Sequence, residues 1–123
     1  MDPPDLTKSD KSKTGLKKDE IIEDDPLPVL EHFGLLISED YELTDSIPVH
    51  VYRYDDGTVV ICSMELNQYA EGDTEYLARR LFSEILIEEL EDLEVTVDQG
   101  QVLGRDLKIQ LSLLRRLLRK IEK

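Results

Sequence analysis

The residues of this chain that could carry out chemistry are few, and their spacing forms no catalytic motif. The chain has two histidines, His32 and His50, and one cysteine, Cys62. A nucleophilic cysteine needs a neighbouring base or cation that lowers its pKa, whereas Cys62 lies in the mostly apolar run 58–65. We therefore expect an inert buried thiol at Cys62 and a sheet-face histidine at His50, and we predict a protein without enzymatic activity.

Phosphate, metal and cofactor sites are not indicated either. The six glycines are scattered, and none precedes a Lys-Ser or Lys-Thr pair as a phosphate-binding loop requires. The acidic turn at residues 55–57 is too short for a calcium loop, which takes about 12 residues. A single cysteine excludes an intramolecular disulfide and a cysteine zinc site, and it fits a reducing cytoplasm. We predict no cofactor and no metal.

An acidic row at helical spacing consists of Glu84, Glu88 and Glu91. These carboxylates could attract a divalent cation, but no second acidic element converges on them, so a metal site is disfavoured. Like charges four residues apart destabilise a helix unless a cationic group lies nearby. The row is therefore a candidate binding surface for a basic partner, with a merely solvated face as the alternative.

Charge is divided unevenly along the chain, whose net value is −13. Residues 1–18 carry +2, residues 19–104 carry −20 and residues 105–123 carry +5. An acidic body of this kind repels phosphates at long range and attracts basic partners. Direct nucleic-acid binding is therefore unfavourable. No apolar run approaches the roughly 20 residues that a membrane-spanning helix needs, so no membrane span is expected.

The C-terminal segment 105–123 has the pattern of a basic amphipathic helix. Residues 106–113 also alternate like a strand, but the helical spacing continues for longer. Three interpretations compete: packing within its own domain, pairing with a second copy or another protein, or lying on a membrane or nucleic acid. The apolar seam centres on Leu111, Leu114 and Leu118, which are candidate partner-binding residues, and the basic flank centres on Arg115, Arg116 and Arg119.

The remaining pattern predicts a single α+β domain over residues 25–123, behind a disordered charged tail at residues 1–24. Its centre is an antiparallel sheet of three or four strands built on the hairpin 48–65, whose Gly57 suits a tight turn. An amphipathic helix over residues 74–93 should cover one face. We further expect a short helix at residues 26–34, a weak strand at 37–43, a loop at 67–72 and a short strand at 94–98.

The predicted order of elements is similar to that of the small acidic dimeric chaperones of secretion systems. The resemblance is one of element order alone, and it implies an apolar groove that holds a partner segment. Tyr52 and Tyr54 lie on one face of the predicted hairpin and form a second candidate surface, since tyrosine is enriched at interfaces.

The sequence thus predicts a non-enzymatic acidic protein-binding module that acts as an assembly factor, adaptor or chaperone. Its partner is another protein with a basic or amphipathic segment, and the chain itself is expected to form a homodimer in the cytoplasm. The alternative is a regulator of nucleic-acid transactions. Such a regulator would imitate DNA through its acidity or bind weakly through the basic C-terminal helix.

Overall fold

The structure, a computed structural model, describes residues 25–122, so the tail predicted for residues 1–24 lies outside the described residues. The elements in chain order are β1 (Val29–Phe33), β2 (Tyr41–Leu43), β3 (Ile47–Arg53), β4 (Val59–Ser63), β5 (Gln68–Gly72), α1 (Glu75–Asp98), α2 (Arg105–Leu117) and β6 (Leu118–Lys120). Four strands form an antiparallel sheet in the order β1-β3-β4-β5, and β2 pairs with β6 in a separate ladder. The α+β fold class is confirmed.

The predicted hairpin is confirmed as β3 and β4, joined by the turn that contains Gly57. Gly57 has a φ of 96°, a left-handed conformation that glycine adopts without steric cost. The Tyr54 N–H donates to the carbonyl oxygen of Thr58 at 2.9 Å, and the Asp56 carboxylate accepts the Thr58 N–H at 2.9 Å. Hydrogen bonds from Thr58 also hold the pKa of Asp56 below its ordinary value. The turn is therefore closed by both backbone and side chain.

The short helix expected at residues 26–34 is wrong, because the segment forms the edge strand β1. The spacing of Leu27, Leu30 and Phe33 suggested one apolar helix face, yet only Phe33 is buried and Leu30 is 63% exposed. Pairing with β3 supplies partners for backbone groups that so short a helix would leave open at both ends. Tertiary pairing therefore overrides the local pattern.

Two other sheet predictions need correction. The weak strand expected at residues 37–43 survives only as β2, which pairs with β6 instead of joining the larger sheet. The loop expected at 67–72 contains β5, which completes the larger sheet beside β4. This strand has no β-branched residue, and its only periodic feature is the alternation of buried Ala70 with exposed Tyr69 and Glu71. The usual composition of strands therefore did not reveal it.

The predicted helix over residues 74–93 is confirmed as α1 and continues to Asp98. The Thr74 hydroxyl accepts the Leu77 N–H at 3.2 Å, which satisfies one of the open donors at the helix start. The strand expected at residues 94–98 is wrong, since these residues form the last turn of α1. Gly100, with a φ of 84°, then provides a left-handed residue just beyond the helix.

The C-terminal helix is confirmed as α2, but it does not continue to residue 123 as expected. The ambiguous residues 106–113 are helical. Thr44 accounts for the helix end, because its N–H donates to the Leu117 carbonyl at 2.8 Å and its hydroxyl donates to the Arg116 carbonyl at 2.5 Å. These bonds satisfy carbonyls that a helix end leaves open. The chain then extends as β6 along β2.

The core between the larger sheet and α1 is centred on an aromatic pair. The Phe33 and Phe82 rings meet edge to face, with centroids 5.0 Å apart, and both side chains are fully buried. Such a pair contributes about 0.5–1.5 kcal/mol beyond its area burial. The Arg79 guanidinium lies 5.8 Å from the Phe33 ring centroid, which adds a cation–π contact between α1 and β1.

Two arginines and two glutamates join β1, β3 and α1 in one ion-pair network. Arg53 contacts Glu31 at 2.6 Å and Glu75 at 3.0 Å. Arg79 contacts Glu75 at 2.9 Å and Glu31 at 3.4 Å. Hydrogen bonds from Arg53 are the main cause that lowers the pKa of both glutamates, so both are charged at neutral pH. The network fixes the start of α1 against one side of the sheet.

Candidate protein-binding surface

The larger sheet is covered on one face only. Along β3, Val49 and Val51 are buried on the side of α1, whereas His50 and Tyr52 point the other way and are half-buried. No helix or strand of residues 25–122 packs over this second side, which we call the open face. By strand alternation the open face consists of Leu30, His32, Pro48, His50, Tyr52, Val60, Cys62, Tyr69 and Glu71.

The strand register places the aromatic residues of the open face among apolar neighbours. Tyr52 lies opposite Val60, and Cys62 lies opposite Tyr69. Tyr69 is 67% exposed, and the sequence pattern does not indicate it as a surface residue of the sheet because it predicts a loop at residues 67–72. The open face contains no lysine and no arginine. It is therefore a surface of apolar, tyrosine and histidine side chains with Glu71 at its β5 edge, and it has no lysine or arginine.

Tyr54 continues the open face at its end near the β3–β4 turn. It lines a shallow cleft of about 200 Å³ together with Asp56, Val60 and Glu71. Partial desolvation and then the negative charges of Asp25 and Glu71 raise the pKa of Tyr54 above its ordinary value. The phenol is therefore neutral at physiological pH, and the rim of the cleft carries negative charge.

His50 and Cys62 occupy opposite positions on neighbouring strands of the open face. No hydrogen bond joins them among the contacts of the described residues. Burial raises the pKa of the Cys62 thiol above its ordinary value, so the thiol is protonated at neutral pH. The pair therefore does not form an activated nucleophile.

The leucine seam of the C-terminal segment lies inside the domain. Leu111 and Leu118 are each 5% exposed and Leu114 is 1% exposed, all within the core of the same chain. These side chains have no surface to offer to a partner in this structure. Of the three arrangements considered for the segment, packing within its own domain matches these positions.

The basic residues of the C-terminal segment contact the acidic body of the same chain. Arg115 pairs with Glu94 of α1 at 3.0 Å, and Arg119 pairs with Glu42 of β2 at 2.5 Å. Arg116 is exposed and borders a cavity of about 460 Å³ that Asp45 and Glu65 also line. The net charge of +5 on residues 105–123 therefore partly neutralises the negative charge of the same domain.

The acidic row on α1 is only partly open to a partner. Glu84 pairs with Arg80 at 3.3 Å, and Glu91 accepts a hydrogen bond from the Tyr41 hydroxyl at 3.1 Å. Burial and then the hydrogen bond to Glu91 raise the pKa of Tyr41. Glu88 is exposed and makes no ion pair with any residue from 25 to 122. The row is thus less accessible than its spacing suggested.

Other kinds of site find no support within the part of the chain that the structure describes. Residues 25–122 contain no group of three or more His, Cys, Asp or Glu side chains placed to hold a metal ion. Neither of their helices has the length and apolar character needed to cross a membrane. No family model, no curated protein and no solved structure matches this chain.

Proposed function

We propose that this protein is a non-enzymatic protein-binding module whose open face holds a segment of a partner protein. The observation that carries the proposal is the sheet face that no helix or strand of residues 25–122 covers, with three tyrosines at or beside it and no lysine or arginine. Assembly factor, adaptor and chaperone are the roles that such a module serves. The single free cysteine fits a reducing cytoplasm as its compartment.

Tyrosines on a sheet suit protein recognition for a physical reason. A Tyr side chain has few rotatable bonds, so it contributes a large contact area at a low cost in conformational entropy. Tyr52 and Tyr54 are half-buried by their neighbours, which holds their rings in place, and Tyr69 is exposed. The open face is therefore preorganised for contact with an apolar segment.

The charge distribution favours a basic partner. Two of the three arginines in residues 19–104, Arg53 and Arg79, are engaged in the internal network, and Arg80 pairs with Glu84. The body therefore presents mostly carboxylates to solvent. Complementary charge of this kind mainly accelerates encounter and excludes partners of the same charge.

The expected homodimer stays a prediction, and its interface would have to be other than the leucine seam, because Leu111, Leu114 and Leu118 are core residues of one chain. The nucleic-acid alternative is also weaker. Sheets that stack bases combine aromatic side chains with a basic groove, whereas the open face has tyrosines without lysine or arginine. Arg53, the nearest arginine in sequence to Tyr52 and Tyr54, is engaged in ion pairs with Glu31 and Glu75.

A differential capture experiment tests the proposal. The full chain, Tyr54→Ala, Tyr69→Ala and a control, Ile109→Ala, are immobilised and exposed to lysate of the source organism, once without and once with nuclease. Ile109 is 60% exposed on α2, so its substitution removes exposed apolar surface far from the open face. We expect one protein to be retained by the unmodified chain and the control, and lost from both tyrosine variants.

The captured protein is then purified and titrated against the four chains. We expect each tyrosine variant to weaken binding by about tenfold or more, with unchanged unfolding temperatures. Equal retention by all four chains would remove the open face from the proposal. Retention that disappears with nuclease treatment would instead support the nucleic-acid alternative.

A further inference from the structure

The backbone register identifies hydrogen-bonding groups that point outward from β5. The Tyr54 N–H donates a hydrogen bond to the Thr58 carbonyl at the end of the β3–β4 ladder. Hydrogen-bonded pairs recur at every second residue of an antiparallel ladder, so Tyr52 and Val60 also exchange hydrogen bonds. Alternate residues of a central strand bond opposite neighbours. Ile61 therefore bonds Ala70 across the β4–β5 ladder. It follows that the N–H and C=O groups of residues 69 and 71 point away from β4.

These outward groups lie on an edge that no other strand of residues 25–122 occupies. Natural sheets usually protect such edges with proline, lysine or a covering element. The β5 sequence Gln-Tyr-Ala-Glu-Gly has neither proline nor lysine. The other edge strand is β1, which begins at Val29, close in sequence to residues 1–24. Its Glu31 side chain is already engaged in ion pairs with Arg53 and Arg79.

An apolar strip of α1 runs beside the β5 edge. Gly72 permits this closeness, because a Cβ atom there would lie 2.4 Å from the backbone nitrogen of Ala78. The first turns of α1 are therefore pressed against β5. Leu77 and Leu81 remain 43% and 39% exposed and line a shallow groove of about 400 Å³ with residues 71–73. A strand added at this edge would cover both leucines.

The charged residues of this groove are mostly acidic. Glu71, Asp73 and Glu84 line it, together with Arg80, which already pairs with Glu84 at 3.3 Å. A peptide bound here would meet excess negative charge at both faces of the edge. Cationic side chains are therefore favoured in the occupant, and acidic ones are excluded.

We infer that β5 accepts a fifth strand, an extended segment of a partner protein in which apolar and basic residues alternate. This inference rests on the proposed protein-binding function and adds its mode. Residues 69 and 71 provide the backbone hydrogen bonds. Alternate apolar side chains of the segment cover Leu77 and Leu81, and the intervening basic side chains lie beside Tyr69 and Glu71 on the open face.

Hydrogen exchange of the full chain, followed by nuclear magnetic resonance, tests the edge directly. The probe is a capped nine-residue peptide that alternates lysine and valine. We expect the amides of Tyr69 and Glu71 to exchange rapidly in the free protein and at least about tenfold more slowly with the peptide. A block peptide of five lysines followed by four valines has the same charge and composition. We expect it to bind at least about tenfold more weakly and to protect neither amide.

Two substitutions at Glu71 separate the contribution of the backbone N–H to peptide binding from the contribution of the side-chain charge. Glu71→Pro removes the outward N–H, which edge strands tolerate because no ladder bond is lost. Glu71→Gln removes the charge and keeps the N–H. We expect Glu71→Pro to weaken peptide binding by about tenfold and Glu71→Gln by about two- to threefold. The Ala70 amide, which bonds β4, should remain protected in both variants and so reports an intact sheet.

Each alternative outcome is distinct. Equal binding of the alternating and block peptides, or no binding of either, would overturn the strand-addition mode with this partner chemistry. Slow exchange of Tyr69 and Glu71 in the free protein would show the edge already occupied. Mass measurement then identifies a second copy in a dimer, or the chain's own residues in a monomer, and either result overturns the inference. If the Glu71 variants bind alike while Tyr54→Ala still loses the captured partner, the proposed function stands without this mode.

Discussion

Replacement of Leu114 by alanine tests whether the leucine seam belongs to the domain core. Leu114 is 1% exposed in the middle of α2. Truncation of a fully buried leucine costs its transfer free energy and leaves a cavity, together about 3 kcal/mol. A domain of this size has a total stability of about 5–15 kcal/mol, so the loss is large. The corresponding fall in the unfolding temperature is about 15 °C.

Urea and thermal unfolding, followed by circular dichroism at two protein concentrations tenfold apart, provide the assay. Ile109→Ala is the matched control on the same helix, because Ile109 is 60% exposed, and its effect should remain below about 0.5 kcal/mol. The loss for Leu114→Ala should be the same at both concentrations. A difference of less than about 1 kcal/mol between the two variants would refute the assignment of Leu114 to the core. A loss that depends on concentration would indicate a seam shared between two chains.

Two further predictions concern the packing and charge of the fold. Gly72→Ala should lower the free energy of unfolding by about 2 kcal/mol or more, because its Cβ meets the backbone of α1 at 2.4 Å. The control Gly34→Ala, whose Cβ would meet only the Ser46 side chain at 4.0 Å, should change it by less than about 0.5 kcal/mol in the same urea titration. The second prediction concerns pH, because the pKa of Glu31 and the pKa of Glu75 are both lowered in the folded protein. Their ion pairs therefore stabilise the fold fully above the ordinary carboxyl pKa of 4.5. This contribution to stability is lost as the pH falls through the lower pKa values of the folded state. Arg53→Leu should therefore reduce the acid-induced loss of stability between about pH 5 and about pH 3, and an unchanged pH profile would contradict the network.

The hairpin and α1 were predictable because their information is local. Gly57 with its flanking β-branched residues indicates a tight turn, and the leucine spacing of residues 74–93 indicates one apolar helix face. The edge strands were not predictable in the same way. An edge strand is exposed on one face and along one side, so β5 can consist of small and polar residues. Its existence depends on the distant pairing partner β4.

Among the candidate binding surfaces, too, some residues are predictable from local sequence and others depend on distant elements. Tyr52 and Tyr54 were selected from their alternation along one strand, and the structure places both at the open face. The companion Tyr69 and the exposed Leu77 were missed, because each gains its significance from a neighbouring element. The seam leucines were assigned to a partner surface for the opposite reason. Their periodicity specifies an apolar helix face, but not which chain covers it.

The sequence by itself determined the α+β class, the central hairpin, the amphipathic helix over residues 74–93 and the division of charge along the chain. These features depend on turn chemistry, helical spacing and composition, which act over a few residues. Only the tertiary structure decided that α2 buries its leucines internally and that Arg115 and Arg119 neutralise acids of the same domain. It likewise decided that no helix or strand of residues 25–122 covers the open face or pairs with the outer edge of β5. Burial and pairing are properties of elements far apart in the chain, so local pattern alone leaves them open.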